Sequence, residues 1–185
     1  VYKRQPYILA ATLRSDNFGD TYAYRSVFRE APSKIAALPL YLEGIKKDKG
    51  FSVLIVIIKA LIGNSPILFF MFIATVQMLC MAFIYRKYSE NYWMSIFVFV
   101  AGTDYMSWCH NGIRQFLAIA IIMAGFPLLL KRKYIPLIAI ILLGATFHAS
   151  ALLMIPIIFI VQGKAWNKKS VLCILGCILI LIFVN

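Results

Sequence analysis

Long uncharged hydrophobic runs alternate with short basic clusters along most of this chain. The clearest run, residues 66–85, contains 20 residues without a charge, enough for a helix that crosses a hydrocarbon core of about 30 Å. Pro66 stands at its start, a position that proline favours in helices. Several such runs in one chain predict an all-α, polytopic integral membrane protein with short helical hairpins.

The predicted membrane segments follow these runs. Residues 51–62 are few and include Lys59, so we expect an interfacial or re-entrant helix there. Two short legs meet near His148, which places that apex below the outer surface. The alternative is one helix over residues 134–161. The predicted segments are residues 51–62, 66–85, 93–109, 114–130, 134–147, 150–161 and 171–185.

The basic clusters between the runs orient the chain. Residues 131–133 are the densest cluster, and such clusters are typical of cytoplasmic loops. With the clusters in the cytoplasm, the loop 14–50, the turn 110–115 and the apex at His148 all lie on the outer side. The loop itself carries seven basic residues and five acids, which conflicts with the positive-inside rule. Either the topology is inverted or these cations bind an anionic ligand.

The composition agrees with a membrane protein and excludes other classes. Hydrophobic residues form 62% of the chain, against about 45–50% in soluble domains. The net charge of +12 lies in loop clusters rather than along one face, so we expect no nucleic-acid binding. The four cysteines are predicted to be small hydrophobic residues. No set of metal ligands is recognisable, and no cofactor is expected.

Both ends of the chain are predicted to be cut. Residues 6–13 are too few to span a membrane and are predicted to be the tail of a helix, and residues 171–185 stop inside a hydrophobic run. Residues 1–5 resemble the translated end of a transposon adapter and are predicted to be non-native. Residues 6–185 are then one partial transmembrane domain.

Arg114 is the strongest candidate for chemistry. An ionisable residue at a membrane edge is costly unless it pairs or faces a polar cavity. A snorkelling interfacial arginine is the alternative, but the helix dipole disfavours a cation at a helix start. We therefore expect an anionic partner, either Asp104 or a diphosphate ligand. Asn111 and Gln115 would supply neutral hydrogen bonds beside it.

The two histidines, His110 and His148, form the second candidate group. The predicted topology places both on the face that carries Arg114. An imidazole suits general acid–base catalysis near neutral pH. The alternative is a structural hydrogen-bonding role for each. A zinc site would need a third ligand that the sequence does not identify.

The start of the outer loop combines a cation, acids and aromatic residues. Arg14 is suited to bind phosphate oxygens, Asp20 to orient or deprotonate a sugar hydroxyl, and Tyr24 to stack on a sugar ring. The alternative is a capped turn, with Asp20 as the N-cap of a helix over residues 21–29 and Tyr24 as an interfacial anchor. The sequence leaves both interpretations open.

Three motifs carry a family resemblance. They are NGIRQ at residues 111–115, FHASAL at residues 147–152, and the Arg14…Tyr24 pattern of the outer loop. Together they resemble the EpsG family of bacterial exopolysaccharide proteins over most of residues 14–162. The resemblance implies a Wzy-like polysaccharide polymerase, a glycosyltransferase-type enzyme without a nucleotide cofactor. It would join undecaprenyl-diphosphate-linked oligosaccharide repeat units at the outer face of the bacterial cytoplasmic (inner) membrane.

The resemblance also implies a site and partners. Arg114, helped by Arg14, would stabilise the diphosphate leaving group, and His148 or Asp20 would assist the acceptor hydroxyl. Expected partners are the lipid bilayer and other exopolysaccharide assembly proteins. Two alternatives stay open: a membrane acyltransferase or sugar-modifying enzyme of the same pathway, and a non-enzymatic lipid-linked saccharide transporter. The candidate substrate-binding residues are Arg14, Tyr24, His110, Asn111, Gln115 and Ser150.

Overall fold

The computed structural model of the chain describes residues 5–102, 110–161, 166–168 and 170–176, and within these ranges it contains helices, turns and no strand. The all-α prediction is confirmed for this part of the chain. The chain divides into two units, residues 1–151 and 152–185. Every side chain of the candidate site that the structure describes belongs to the first unit.

The helices keep the order of the predicted segments. Two short 3-10 segments, Ile35–Ala37 and Ala149–Leu153, accompany them. The α-helices are α1 (Gln5–Thr12), α2 (Thr21–Glu30), α3 (Leu38–Glu43), α4 (Lys49–Ile62), α5 (Pro66–Tyr88), α6 (Tyr92–Ala101), α7 (Ile113–Ala124), α8 (Phe126–Leu130), α9 (Tyr134–Phe147) and α10 (Met154–Val161).

Two helices, α5 and α9, have bounds close to those of predicted segments. Helix α5 begins at Pro66, as predicted, and runs three residues past the predicted end, to Tyr88. Helix α9 has the predicted bounds. The single helix over residues 134–161 is excluded, because His148 adopts extended backbone angles, φ −156° and ψ 121°, directly after α9.

Three predicted segments differ from the structure. In the segment predicted over residues 93–109, α6 ends at Ala101, and Gly102 adopts extended backbone angles, φ −71° and ψ 156°. The expected helix over residues 114–130 is broken at Gly125 into α7 and α8. Pro127 lies in the first turn of α8 and has no N–H to continue the hydrogen bonds of α7, which explains the break. The segment predicted from residue 150 begins as a 3-10 turn. Residues 103–109 and 177–185, with Asp104 and the ends of two predicted segments, lie outside the described residues.

One helix among the described residues, Pro66–Tyr88, is long and apolar enough to cross a membrane. A helix of this kind also occurs in the cores of soluble proteins. Four other helical stretches in the described part of the chain are apolar but shorter. They are Tyr92–Ala101, Ile113–Ala124, Tyr134–Phe147 and Ala149–Ile158.

Helix α5 forms the centre of the first unit and packs against α1, α2, α4, α6 and α7. Its side chains Phe69, Phe70 and Ile73 are buried. Phe28 of α2 stacks on Phe69 with 4.7 Å between the ring centroids. Burying a side chain of this size contributes about 1.5–3 kcal/mol, so this aromatic cluster attaches α2, which carries part of the site, to the core.

Helices α7 and α9 approach closely at Gly144. A Cβ atom on this glycine would lie 3.2 Å from the side chain of Ile122 and 3.6 Å from the backbone oxygen of Ala118. Small residues at such positions let two helix backbones pack closely. The contact holds the end of α9, and therefore His148, next to the helix that carries Arg114.

Lys59 has a role that the sequence did not indicate. It was expected to mark an interfacial helix, but it is buried, with 4% of its surface exposed. Its Nζ donates hydrogen bonds to the carbonyl oxygens of Phe28 (2.9 Å) and Arg29 (2.6 Å), and also to that of Ala31. A cation is favoured at a helix C-terminus, so Lys59 joins the end of α2 to α4.

Candidate functional site

A cavity of about 400 Å³ lies among α2, the residues before and at the start of α4, and the start of α7. Its polar lining includes Asp20, Tyr24, Lys47 and Arg114. Asp20, Tyr24 and Arg114 were all predicted from the sequence to take part in one site, and the structure brings them to one cavity. The cavity size is within the roughly 300–1,000 Å³ that is usual for small-molecule sites.

Arg114 forms an ion pair with Asp48. Its Nη1 lies 2.8 Å from Oδ2 of Asp48, whose side chain is 9% exposed. The Nδ1 atom of His148 lies 3.7 Å from the same oxygen. The sequence had offered Asp104, outside the described residues, or a ligand as the anionic partner. The structure instead provides Asp48, so Arg114, Asp48 and His148 form one cluster.

The start of α7 is held so that Arg114 reaches the cavity. Gln77 of α5 is buried, and its Nε2 donates a hydrogen bond of 3.1 Å to the carbonyl oxygen of Ile113. The Arg114 guanidinium carbon lies 5.8 Å from the ring centroid of Tyr24. Tyr24 in turn packs edge-to-face on Phe51, with 6.0 Å between centroids. The guanidinium therefore has an aromatic neighbour and a carboxylate partner.

The sequence did not identify Asp48 as a residue of the site, because its position before a helix predicts a capping role. It directly precedes α4, where aspartate usually accepts hydrogen bonds from the first N–H groups of the helix. Here its side chain makes no such bond, and its backbone is left-handed, with φ 55° and ψ 41°. Aspartate and asparagine adopt this conformation more readily than most residues. The freed carboxylate contacts Arg114, 66 positions along the chain.

Asp20 occupies the N-cap position of α2, as the capped-turn interpretation predicted. Its side chain nevertheless makes no capping hydrogen bond. Asp20 is exposed and lines the cavity. The carboxylate is thus placed where a bound hydroxyl group would be accessible to it.

Arg14 and Tyr24 are placed differently from expectation. Arg14 is buried, with its guanidinium carbon 3.9 Å above the ring of Phe70, and it does not line the cavity. This cation–π contact makes Arg14 part of the packing around α5. Tyr24 lines the cavity but is 92% buried, since only 8% of it is exposed. Little of its ring is available to stack on a sugar.

His110 and Asn111 support the site from outside the cavity. His110 is buried and packs edge-to-face on Phe18, with 4.9 Å between ring centroids. Gly19 has φ +53°, and a side chain there would overlap the side chain of Asn111. The turn before α7 therefore packs against the loop that leads into Asp20.

The remaining candidates lie apart from the cavity lining. Gln115 is half-buried and Ser150 is exposed, and neither lines the cavity. Within the described residues, no three His, Cys, Asp or Glu side chains are arranged to hold a metal ion.

These features define a helical protein with a cationic cavity beside an arginine–aspartate–histidine cluster. The sequence matches the EpsG family over residues 6–185, nearly the whole chain, and the protein belongs to this family. The resemblance noted in the sequence is thereby confirmed. The EpsG family is a membrane-associated family of exopolysaccharide biosynthesis. No curated protein and no solved structure matches the chain.

Proposed function

We propose that this protein is a polysaccharide polymerase that joins lipid-diphosphate-linked oligosaccharide repeat units at the outer face of the bacterial cytoplasmic membrane. The observation that carries the proposal is the position of Arg114. It lines the same cavity as Asp20 and Lys47, and it is paired through Asp48 with His148. A phosphate-binding cation and one candidate base, Asp20, thus line one cavity. The second candidate base, His148, is not part of that lining and lies beside Asp48, the partner of Arg114.

The apolar surface of α5 supports a membrane location. Phe72, Leu79 and Phe83 are 44%, 53% and 48% exposed, although α5 is the central helix of its unit. Exposed apolar patches of this kind mark interaction with a membrane or a partner. With residues 131–133 in the cytoplasm, α7 and α9 are membrane segments, and the cavity opens on the outer side.

The charges of the cavity suit an anionic ligand. Lys47 is exposed, and 41% of the Arg114 side chain is accessible. A guanidinium binds two phosphate oxygens at once, whereas a lysine acts as a point charge. Arg114 would hold the diphosphate, with Lys47 as a second cation. We assign Tyr24 to the orientation of Arg114 rather than to sugar stacking, because so little of its ring is exposed.

The proposed reaction is a glycosyl transfer. A hydroxyl oxygen of the acceptor unit attacks the anomeric carbon of the donor sugar, and the bond between that carbon and the diphosphate oxygen breaks. The acceptor proton passes to His148 or Asp20. The lipid diphosphate leaves with the bonding electron pair, and Arg114 stabilises its negative charge.

Complementation of a deletion strain with the full gene tests this proposal. We expect Arg114→Ala to abolish high-molecular-weight polymer and to let lipid-linked single repeat units accumulate. Arg114→Lys keeps the charge but loses the bidentate geometry, so polymer yield should fall by at least about tenfold. Normal polymer yield in the Arg114→Ala strain would contradict the proposal.

Arg25→Ala is the matched control for this experiment. Arg25 also pairs with an aspartate at 2.8 Å, Asp16, but it does not line the cavity. Its replacement should leave polymer yield unchanged. Product analysis separates the alternatives: polymer of normal length with missing acyl or other substituents would indicate a modifying enzyme. Repeat units left on the cytoplasmic side would indicate a transporter.

A further inference from the structure

One carboxylate oxygen of Asp48 lies between two functional groups. It is 2.8 Å from Nη1 of Arg114, a charge-assisted hydrogen bond, and 3.7 Å from Nδ1 of His148. The second distance is too long for a hydrogen bond. Nδ1 of His148 is buried and has no hydrogen-bond partner among the described residues. Asp48 thus neutralises Arg114. A shift of about 1 Å would bring its Oδ2 within hydrogen-bond distance of Nδ1 of His148.

The local structure holds the backbone of Asp48 and leaves its side chain unattached to the helix. The Asp48 carbonyl oxygen accepts hydrogen bonds from the backbone N–H of Phe51 (3.0 Å) and Ser52 (3.3 Å). The carboxylate makes no capping bond. A small side-chain rotation would therefore exchange one partner for the other without disturbing α4.

We infer that Asp48 couples diphosphate binding to the activation of His148. The inference rests on the proposed function, because it takes a diphosphate as the ligand of Arg114. The diphosphate would replace Asp48 on the guanidinium, since its oxygens bind two N–H groups at once. The released carboxylate then accepts a hydrogen bond from Nδ1–H of His148.

The exchange has a chemical consequence at the other ring nitrogen. When Nδ1–H of His148 is bonded to a carboxylate, Nε2 carries the free electron pair, and the imidazolium that forms on proton uptake is stabilised. Nε2 takes the proton of the acceptor hydroxyl as the glycosidic bond forms and the lipid diphosphate departs. Without ligand, Asp48 remains on Arg114 and the imidazole has no fixed tautomer. Asp48 is a positioning residue in this scheme.

Asp48→Asn tests the coupling in two measurements. Asparagine has nearly the same shape and also tolerates the left-handed backbone, but it neither neutralises Arg114 nor supports an imidazolium. We expect the purified full chain carrying Asp48→Asn to bind inorganic diphosphate about fivefold more tightly in calorimetry, which corresponds to about 1 kcal/mol. The same variant should lose polymer formation in cells. If the ion pair were merely structural, its loss in Asp48→Asn would instead lower both the affinity for diphosphate and the yield of polymer.

Two further variants keep the outcomes distinct. Asp16→Asn breaks the ion pair with Arg25 and should change neither diphosphate affinity nor polymer yield. Arg114→Ala should lose diphosphate binding. If Arg114→Ala binds diphosphate as the wild type does, the proposed function fails. If it loses binding, but Asp48→Asn binds no more tightly or still makes normal polymer, the coupling alone is wrong.

Discussion

The side-chain nitrogen of Lys59 donates a hydrogen bond of 2.9 Å to the backbone oxygen of Phe28, 31 positions earlier in the chain. A second hydrogen bond, to the oxygen of Arg29, measures 2.6 Å. Through these bonds α4, whose start carries Asp48, is attached to α2, whose start carries Asp20. The two carboxylates of the site therefore stand at the starts of two helices that this buried lysine joins.

We expect Lys59→Met to destabilise the protein by about 2–3 kcal/mol, because it leaves the last carbonyl groups of α2 buried without a donor. The measurement is the thermal unfolding temperature of the detergent-solubilised chain, with size-exclusion chromatography as the readout of the folded fraction that remains after heating. Lys34→Met is the control, since Lys34 is exposed, and it should unfold at the wild-type temperature. Equal unfolding temperatures for the two variants would show that the Lys59 bonds contribute no net stability.

Gly50 is predicted to be indispensable for the site geometry. A side chain there would overlap both the side chain and the backbone of Thr146, so α4 and α9 touch next to Asp48 and His148. Gly50→Ala should force these helices apart at a cost of about 1–3 kcal/mol and lower polymer yield while the protein remains folded and membrane-bound. Polymer yield and protein level in membranes are the measurements.

Gly44→Ala is the control for Gly50→Ala. The nearest atom to a Cβ atom on Gly44 is the Tyr41 backbone oxygen at 3.8 Å, an ordinary contact. Gly44→Ala should therefore keep normal yield. If Gly50→Ala performs as well as Gly44→Ala, the contact between α4 and α9 is not needed for activity.

The proposed topology predicts a labelling pattern in intact cells. Single cysteines at Asn17, Ala149 and Lys131, in a chain whose own four cysteines are replaced by alanine, should divide into two groups. Asn17→Cys and Ala149→Cys should react with a membrane-impermeant maleimide, and Lys131→Cys should react only after the cells are opened. All three positions are exposed. The reverse pattern would place the cavity in the cytoplasm and exclude a reaction at the outer face.

Sequence reasoning was most accurate where the signal is local. The uncharged run and Pro66 predicted the start of α5, and the bounds of α9 followed from its flanking polar residues. Asp20 was placed correctly as the first residue before α2. Each of these features depends on residues within one or two helical turns, which the chain presents in order.

Other functional assignments needed the tertiary structure. Arg14 and Arg114 are both arginines beside polar loops, and sequence reasoning predicted the same phosphate-binding role for both. The structure stacks Arg14 on Phe70 and leaves Arg114 in the cavity. What separates them is the packing around α5, which no local pattern of residues expresses.

The sequence by itself determined the helical class, the family and some helix bounds, such as those of α9, because hydrophobic runs, helix-breaking residues and short motifs are readable in order along the chain. Only the tertiary structure decided that Asp48 is the partner of Arg114 and the neighbour of His148. These residues come from three separate helices or their ends. Their meeting depends on how α4, α7 and α9 pack, and packing between distant segments leaves no periodic signal in the sequence.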